Sequence, residues 1–290
     1  EQGTPHAAGH AGDGNLHAHG WIPCGAGSTA GDVAAAGTND DVSLAVAGVA
    51  ASTLVISGSY ATEALDLTTD GNTGSQKLNA ATTRVDATAF KGILTATAAT
   101  NTGTTFLARD VVGTITGSAA GDTVTIGSTA NYINASVGTV DTGSGSDTVN
   151  VFLGGSSASL DGVTNAETIN INLKDVAGFS FNAGGGSDAT ITAATVNYLG
   201  GKAGEVYTAS ATLTDVANRL IDASALAGSV AVLFGDDGLV QTNVSDTVTI
   251  KGGQGALDRV TISMSNSNTG EFTMSGVETL VVGNDTGAST

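Results

Sequence analysis

The chain has 290 residues, of which 42 are Gly and 2 are Pro, with 12% charged residues and a formal net charge of −18. With 27 acids against 9 bases, no basic stripe exists to displace counterions from a nucleic acid or to hold an anionic lipid surface. One cysteine, Cys24, excludes an intramolecular disulfide framework, and the low charge, low Pro and many β-branched residues exclude a disordered chain. Only six of the acids are Glu, leaving 21 Asp; Asp is short, favours turns and is the usual carboxylate of calcium loops.

Residues 1–37 read as a His-rich arm or cap. They hold all four histidines (His6, His10, His17, His19), the only Trp (Trp21), both prolines (Pro5, Pro23) and Cys24, with no apolar periodicity. These donors could bind zinc or copper, but their spacing matches no zinc module. Glu1 is not an initiator Met and no secretory signal is visible, so the sequence is expected to be a processed product or a fragment. The stretch 42–57, VSLAVAGVAASTLVIS, is too short and too diluted by Ser, Thr and Gly to span a membrane; its partial alternation predicts two strands.

From residue 38 to 290 the texture is uniform. Short runs alternate β-branched and polar positions and then stop at Gly, Asn, Asp or Ser: DTVTI (122–126), DTVNV (147–151), ETINI (167–171), DATIT (188–192), DTVTI (246–250), DRVTI (258–262) and ETLVV (278–282). That is a strand signal, and no segment gives a convincing three-turn helix. VDATAFKGILTAT (85–97) matches IDASALAGSVAVL (221–233), and similar runs follow each copy in the same order. Two modules, about 83–171 and 219–282, predict an all-β, parallel β-solenoid in which each coil buries its apolar face on the next.

The turns before these strands carry the chemistry. TGSGSD (142–147), AGGGSD (183–188), GSAAGD (117–122) and GGQGALD (252–258) place glycines and then an Asp before a β-run. Glycines let backbone carbonyls turn toward a cation, and calcium takes six to eight oxygens at flexible geometry. The candidate metal residues are Asp122, Asp141, Gly143, Gly145, Asp147, Gly184, Gly186, Asp188, Asp236, Asp237, Asp246, Gly253, Gly255 and Asp258. Glu167 and Glu278 open ET strand starts and are read as acids bonding turn amides rather than as ligands.

The turns resemble the G-G-x-G-x-D-x-U-x nonapeptide of RTX proteins, with Thr142 and Ala183 at the first Gly position and one extra residue in GGQGALDRV. Together with the DAS segments, the GVET strand start and the Thr/Ala/Gly/Asp composition, residues 38–290 resemble calcium-dependent bacterial S-layer and related type I secreted surface proteins. The resemblance implies a β-solenoid with calcium between coils and chains that form lattices or filaments at the cell surface.

Catalysis is not expected. No histidine follows His19 and no thiol follows Cys24, so the body cannot hold a Ser-His-Asp or Cys-His site. The expectation is an extracellular, self-assembling structural protein that calcium folds after export, with copies of itself and cell-surface polysaccharide as partners. The alternative is an adhesin or carbohydrate-binding segment of a larger RTX-type protein.

Overall fold

The computed structural model describes residues 43–47, 53–58, 64–67, 78, 82–98, 101–160, 162–183, 193–213, 219–239, 247–264 and 271–284. The predicted arm, 1–37, lies outside them. The fold is all-β, with no helix among the described residues, and its strands stack as a parallel β-solenoid.

One sheet runs the whole length. Its order is β1 (Ser43–Ala47), β2 (Thr53–Gly58), β4 (Arg84–Phe90), β6 (Thr105–Ala108), β8 (Thr123–Ile126), β10 (Thr148–Leu153), β12 (Thr168–Leu173), β14 (Thr195–Gly200), β16 (Arg219–Asp222), β18 (Thr247–Lys251) and β20 (Glu271–Ser275). The remaining strands form two five-stranded sheets. The first holds β3 (Ala64–Leu67), β5 (Ile93–Thr97), β7 (Val112–Ser118), β9 (Thr139–Gly143) and β11 (Val163–Thr164). The second holds β13 (Ser180–Asn182), β15 (Val206–Leu213), β17 (Ser229–Leu239), β19 (Arg259–Met264) and β21 (Thr279–Asn284). The chain alternates between the long sheet and one of these. Pairing is parallel except for β1 on β2, which is antiparallel. The two strands expected within 42–57 are therefore this hairpin.

Alternation in the sequence becomes alternation of burial. Every second residue of β8, β10 and β12 points inward, as a period-2 strand requires. Register then stacks like on like: Leu54, Val85, Phe106, Val124, Val149, Ile169, Val196, Ile221 and Ile250 form one inward column, and all are buried. Burying each such side chain contributes about 1.5–3 kcal/mol, an upper figure because the unfolded chain is partly compact. Where the first short sheet gives way to the second, the filling changes to aromatics. Phe179 meets Phe181 and Tyr207 edge to face, and Phe181 meets Tyr198. The Tyr207 hydroxyl accepts the Lys202 amide at 2.8 Å and lies 2.8 Å from the Val176 carbonyl, to which it donates.

The match of 85–97 to 221–233 is structural in its first part. Val85 and Ile221 are buried on the long sheet. The Asp that follows each caps the residue two further on: Asp86 accepts the Thr88 amide and hydroxyl, and Asp222 those of Ser224. Each Asp also holds a cation, Arg84 at 3.0 Å and Lys251 at 2.7 Å. Later members of the two modules diverge in position. Asp147 and Glu167 precede β10 and β12 of the long sheet, whereas Asp258 and Glu278 precede β19 and β21 of a short one.

Candidate functional site

The carboxylates that close the glycine turns stack at the corners of the coils. Asp122 stands before β8, Asp147 before β10 and Glu167 before β12. Each reaches back to the backbone of the preceding coil. Asp122 Oδ1 accepts the Thr104 amide at 2.6 Å, Asp147 Oδ1 accepts the Asp122 amide at 2.7 Å, and Glu167 Oε2 accepts the Asp147 amide at 2.7 Å. A parallel ladder has evenly spaced backbone bonds, but at these corners the amide donates to a side-chain carboxylate of the next coil instead. The side chain supplies the missing acceptor, and a buried amide left without one is costly.

The other side of the solenoid repeats the device. Glu205 Oε2 accepts the Gly178 amide at 2.8 Å. Asp258 Oδ1 accepts the Val230 amide at 2.7 Å and the Gly253 amide at 2.8 Å. Glu278 Oε2 accepts the Asp258 amide at 2.8 Å. Asp147–Glu167 and Asp258–Glu278 are the same unit: an Asp whose amide is capped by a Glu 20 residues later. The expectation that Glu167 and Glu278 bond turn amides agrees with this geometry.

The glycines of these turns sit where coil meets coil. A Cβ on Gly145 would come within 2.8 Å of the Ala120 carbonyl oxygen, and one on Gly121 within 3.0 Å of that of Ser146. Gly143, at φ +86°, lies against the Ser118 carbonyl. Gly252, Gly253 and Gly255 meet the backbone or side chain of Gly276, Gly228 and Ser229. These positions are glycine because the turns stack in close contact, whether or not an ion lies among them.

The oxygens are unequally used. Asp122 is saturated, since its Oδ2 also accepts the Ser118 amide at 2.7 Å and hydroxyl at 3.0 Å. Asp141 Oδ1 accepts the Gly143 amide and the Asn165 side-chain amide. Asp147 Oδ2 and Asp258 Oδ2 are buried and accept no hydrogen bond. Among the described residues no three His, Cys, Asp or Glu side chains converge on a point that could hold a metal ion. As a cation shell, then, the described turns offer at least one carboxylate oxygen each at Asp147 and Asp258 that accepts no hydrogen bond, and calcium's remaining oxygens would come from neighbouring groups. Gly184, Gly186, Asp188 and Asp246 lie outside the described residues, as do the side chains of Asp236 and Asp237 and the His and Cys donors of the arm.

Burial raises the Asp147 carboxyl above the ordinary Asp value of 3.8; the Asp122 amide and the nearby Thr142 hydroxyl oppose this, while the Glu167 and Asp122 charges add to it. Burial likewise raises Asp258, against the Val230 and Gly253 amides and with the Glu278 charge. Burial also acts on Asp86 and Asp222, but their Thr88/Arg84 and Lys251/Ser224 partners outweigh it and hold both below 3.8. A raised carboxyl binds its proton more readily folded than unfolded, so its penalty on the fold is relieved as pH falls toward 3.8. A lowered carboxyl contributes stability that is lost as pH falls through its folded value. The melting temperature should therefore rise on mild acidification from neutrality and fall again below the ordinary Asp range. A D147N/D258N double variant should lose the rise and keep the fall, as read by thermal melts across pH. A flat profile above 3.8 in the wild type would refute this assignment.

A second polar device lies on the outer face of the long sheet. Thr105, Thr123, Thr148, Thr168 and Thr195 stand in one register column. Two residues on, Asn197 Nδ2 donates to Asn170 Oδ1 at 2.7 Å, Asn170 to Asn150 at 2.8 Å, and Asn150 to the Thr125 hydroxyl at 3.2 Å. The signal was present as TVT, TVN, TIN and TVN in successive long-sheet strands. Compared with known proteins, the chain matches no family model, no curated protein and no solved structure.

Proposed function

We propose that this chain is an extracellular structural subunit of the S-layer or surface-filament kind, which assembles with copies of itself and is not an enzyme. One observation carries the reading: among the described residues, buried carboxylates and stacked amides are engaged from coil to coil, Asp122 to Thr104 and Asn197 to Asn170. Such chemistry stiffens a rod. Calcium belongs to the proposal as the ion that closes the acidic turns, with Asp147 Oδ2 and Asp258 Oδ2 as the described oxygens still free to take it. Binding there would make folding follow export into a calcium-rich medium. The outer Thr and Asn columns supply hydroxyls and amides suited to surface polysaccharide, which also suits the adhesin reading.

Negative-stain electron microscopy of the purified chain tests this, with millimolar calcium and again after chelation. Ordered sheets or filaments that dissolve on chelation are expected. Assemblies indifferent to chelator would remove calcium from the proposal. Single particles in both conditions, with retention on a glycan matrix, would replace the structural reading by the adhesin.

A further inference from the structure

Asp147 and Asp258 are each 1% exposed, yet each keeps a carboxylate oxygen, Oδ2, that accepts no hydrogen bond. Asp122, at the same corner as Asp147 and one coil earlier, shows the filled arrangement. Its Oδ2 accepts the amide of Ser118, four residues before it. Four residues before Asp147 stands Gly143, and Asp141 Oδ1 takes that amide instead, at 3.1 Å. At Asp258 the local amide, from Gly253, goes to the oxygen that already accepts the Val230 amide, so Oδ2 is again left over. A buried polar atom without a partner is costly and calls for a physical reason, and the fold builds this one twice.

A second carboxylate stands beside each. Glu167 Oε2 accepts the amide of Asp147 itself, and Glu278 Oε2 that of Asp258, so each Glu carboxylate lies next to the Asp with the spare oxygen. The other oxygen of each Glu engages no described group, and both Glu side chains are exposed. No described Lys or Arg forms an ion pair with any of the four acids. Two neighbouring carboxylates without a cation disfavour each other's ionised form, and in both units the Glu charge acts against the ionised Asp.

We infer that each Asp–Glu unit, Asp147 with Glu167 and Asp258 with Glu278, holds one divalent cation of the calcium class between Asp Oδ2 and the second oxygen of the Glu. The inference rests on the calcium part of the proposed function; it adds a ligand from the following coil and a count of two ions for the described turns. Each Glu then has two tasks, since Oε2 caps the Asp amide while Oε1 meets the ion. The donors are oxygens only, which selects a hard cation. Two carboxylates rather than three or more, one of them open to water, make a flexible and wet shell, which suits calcium better than the strict octahedron of magnesium. So few protein ligands place the affinity in the range of extracellular calcium modules, with Kd on the order of 10⁻⁴–10⁻³ M. The ion ties one coil to the next at the corner where the Glu already touches the Asp backbone.

Equilibrium dialysis of the 290-residue chain against radiolabelled calcium, at concentrations above that Kd, counts the bound ions. In a Glu167→Gln/Glu278→Gln variant the remaining side-chain oxygen still caps the Asp amide, and an NH2 group stands where the ion would be held. Asp147→Asn/Asp258→Asn makes the same exchange at Oδ2. Each double variant is expected to bind two ions fewer than the wild type, and Glu167→Gln or Glu278→Gln alone one fewer. The glutamine variants should keep the wild-type circular dichroism and melting temperature in chelator, because both positions are exposed. A wild type that binds no calcium would overturn both this inference and the calcium part of the proposed function. An undiminished count in the glutamine variant would leave Glu167 and Glu278 as amide caps only, and an undiminished count in the asparagine variant would place the ions elsewhere in the chain. Either result overturns the Asp–Glu sites while calcium binding stands.

Discussion

Replacing Asp122 with Ala should cost about 3–5 kcal/mol of folding stability. The carboxylate accepts the Thr104 and Ser118 amides, and the Ser118 hydroxyl lies 3.0 Å from it and equally 3.0 Å from the Thr102 carbonyl. Asp122 and Thr104 are each 1% exposed, so water reaches these donors poorly when the carboxylate is gone. A buried donor left unsatisfied costs roughly 1–3 kcal/mol, and the two amides both lose their acceptor, while the Ser118 hydroxyl can turn to the Thr102 carbonyl. Asp122→Asn should cost less, since its oxygen still serves Thr104, but its Nδ2 then faces the Ser118 amide as donor against donor. Asp86→Ala is the matched comparison. It removes an Asp that also accepts an amide and a hydroxyl, but from Thr88, which is exposed; it should cost about 0.5–1.5 kcal/mol, the usual net worth of such a bond in contact with water. Urea denaturation of the three variants reads the differences directly. A loss at Asp122 no larger than at Asp86 would mean that the corner carboxylates do not hold the coils together.

These residues also show how far the sequence could be read. The fold class was legible because a parallel solenoid repeats one local rule many times: an inward β-branched residue at every second position and a small-residue turn between runs. Val124, Val149 and Ile169 obey it, and so does the observed register that stacks them. The role of the turn acids was only half legible. Gly-x-Asp before a strand reads equally as a cation loop or as a corner cap, because both need glycine and a short carboxylate, and the distinction lies in what the oxygens face. Asp122 faces three donors, whereas Asp147 and Asp258 each keep one oxygen free. Ser118, four residues before Asp122, fills its second oxygen, but the coil-to-coil partners stand 18, 25 and 20 residues away, and nothing within one coil of sequence encodes those. The second module stands differently in the coils. Its ET and D-R-V runs copy those of the first, but a coil presents two strands, so the same motif before either strand meets the same kind of corner. Hence Asp258 stands before β19 on a short sheet, while Asp147 stands before β10 on the long one.

Gly143→Ala should be nearly as damaging as Asp122→Ala, at about 2–4 kcal/mol, and the reason separates stacking from metal coordination. Gly143 has φ +86°, a left-handed conformation that costs an L-residue about 1–2 kcal/mol. Its Cβ would also overlap the Ser118 carbonyl of the preceding coil, and such overpacking costs typically about 1–3 kcal/mol. Gly204 isolates the first contribution. It has nearly the same φ, +80°, yet a Cβ there would meet nothing within 4 Å, so Gly204→Ala should lose only the conformational part. The excess loss at Gly143 over Gly204 is then the contact between coils. If the TGSGSD turn exists to stack on GSAAGD, that excess is the same in calcium and in chelator, because a carbonyl collision does not depend on an ion. If the glycine instead serves to aim carbonyls at calcium, the excess appears in calcium and shrinks when the ion is removed. The two roles of one residue thus give opposite responses to a chelator in a pair of denaturation curves, and the close approach of Gly143 to Ser118 predicts the response that ignores it.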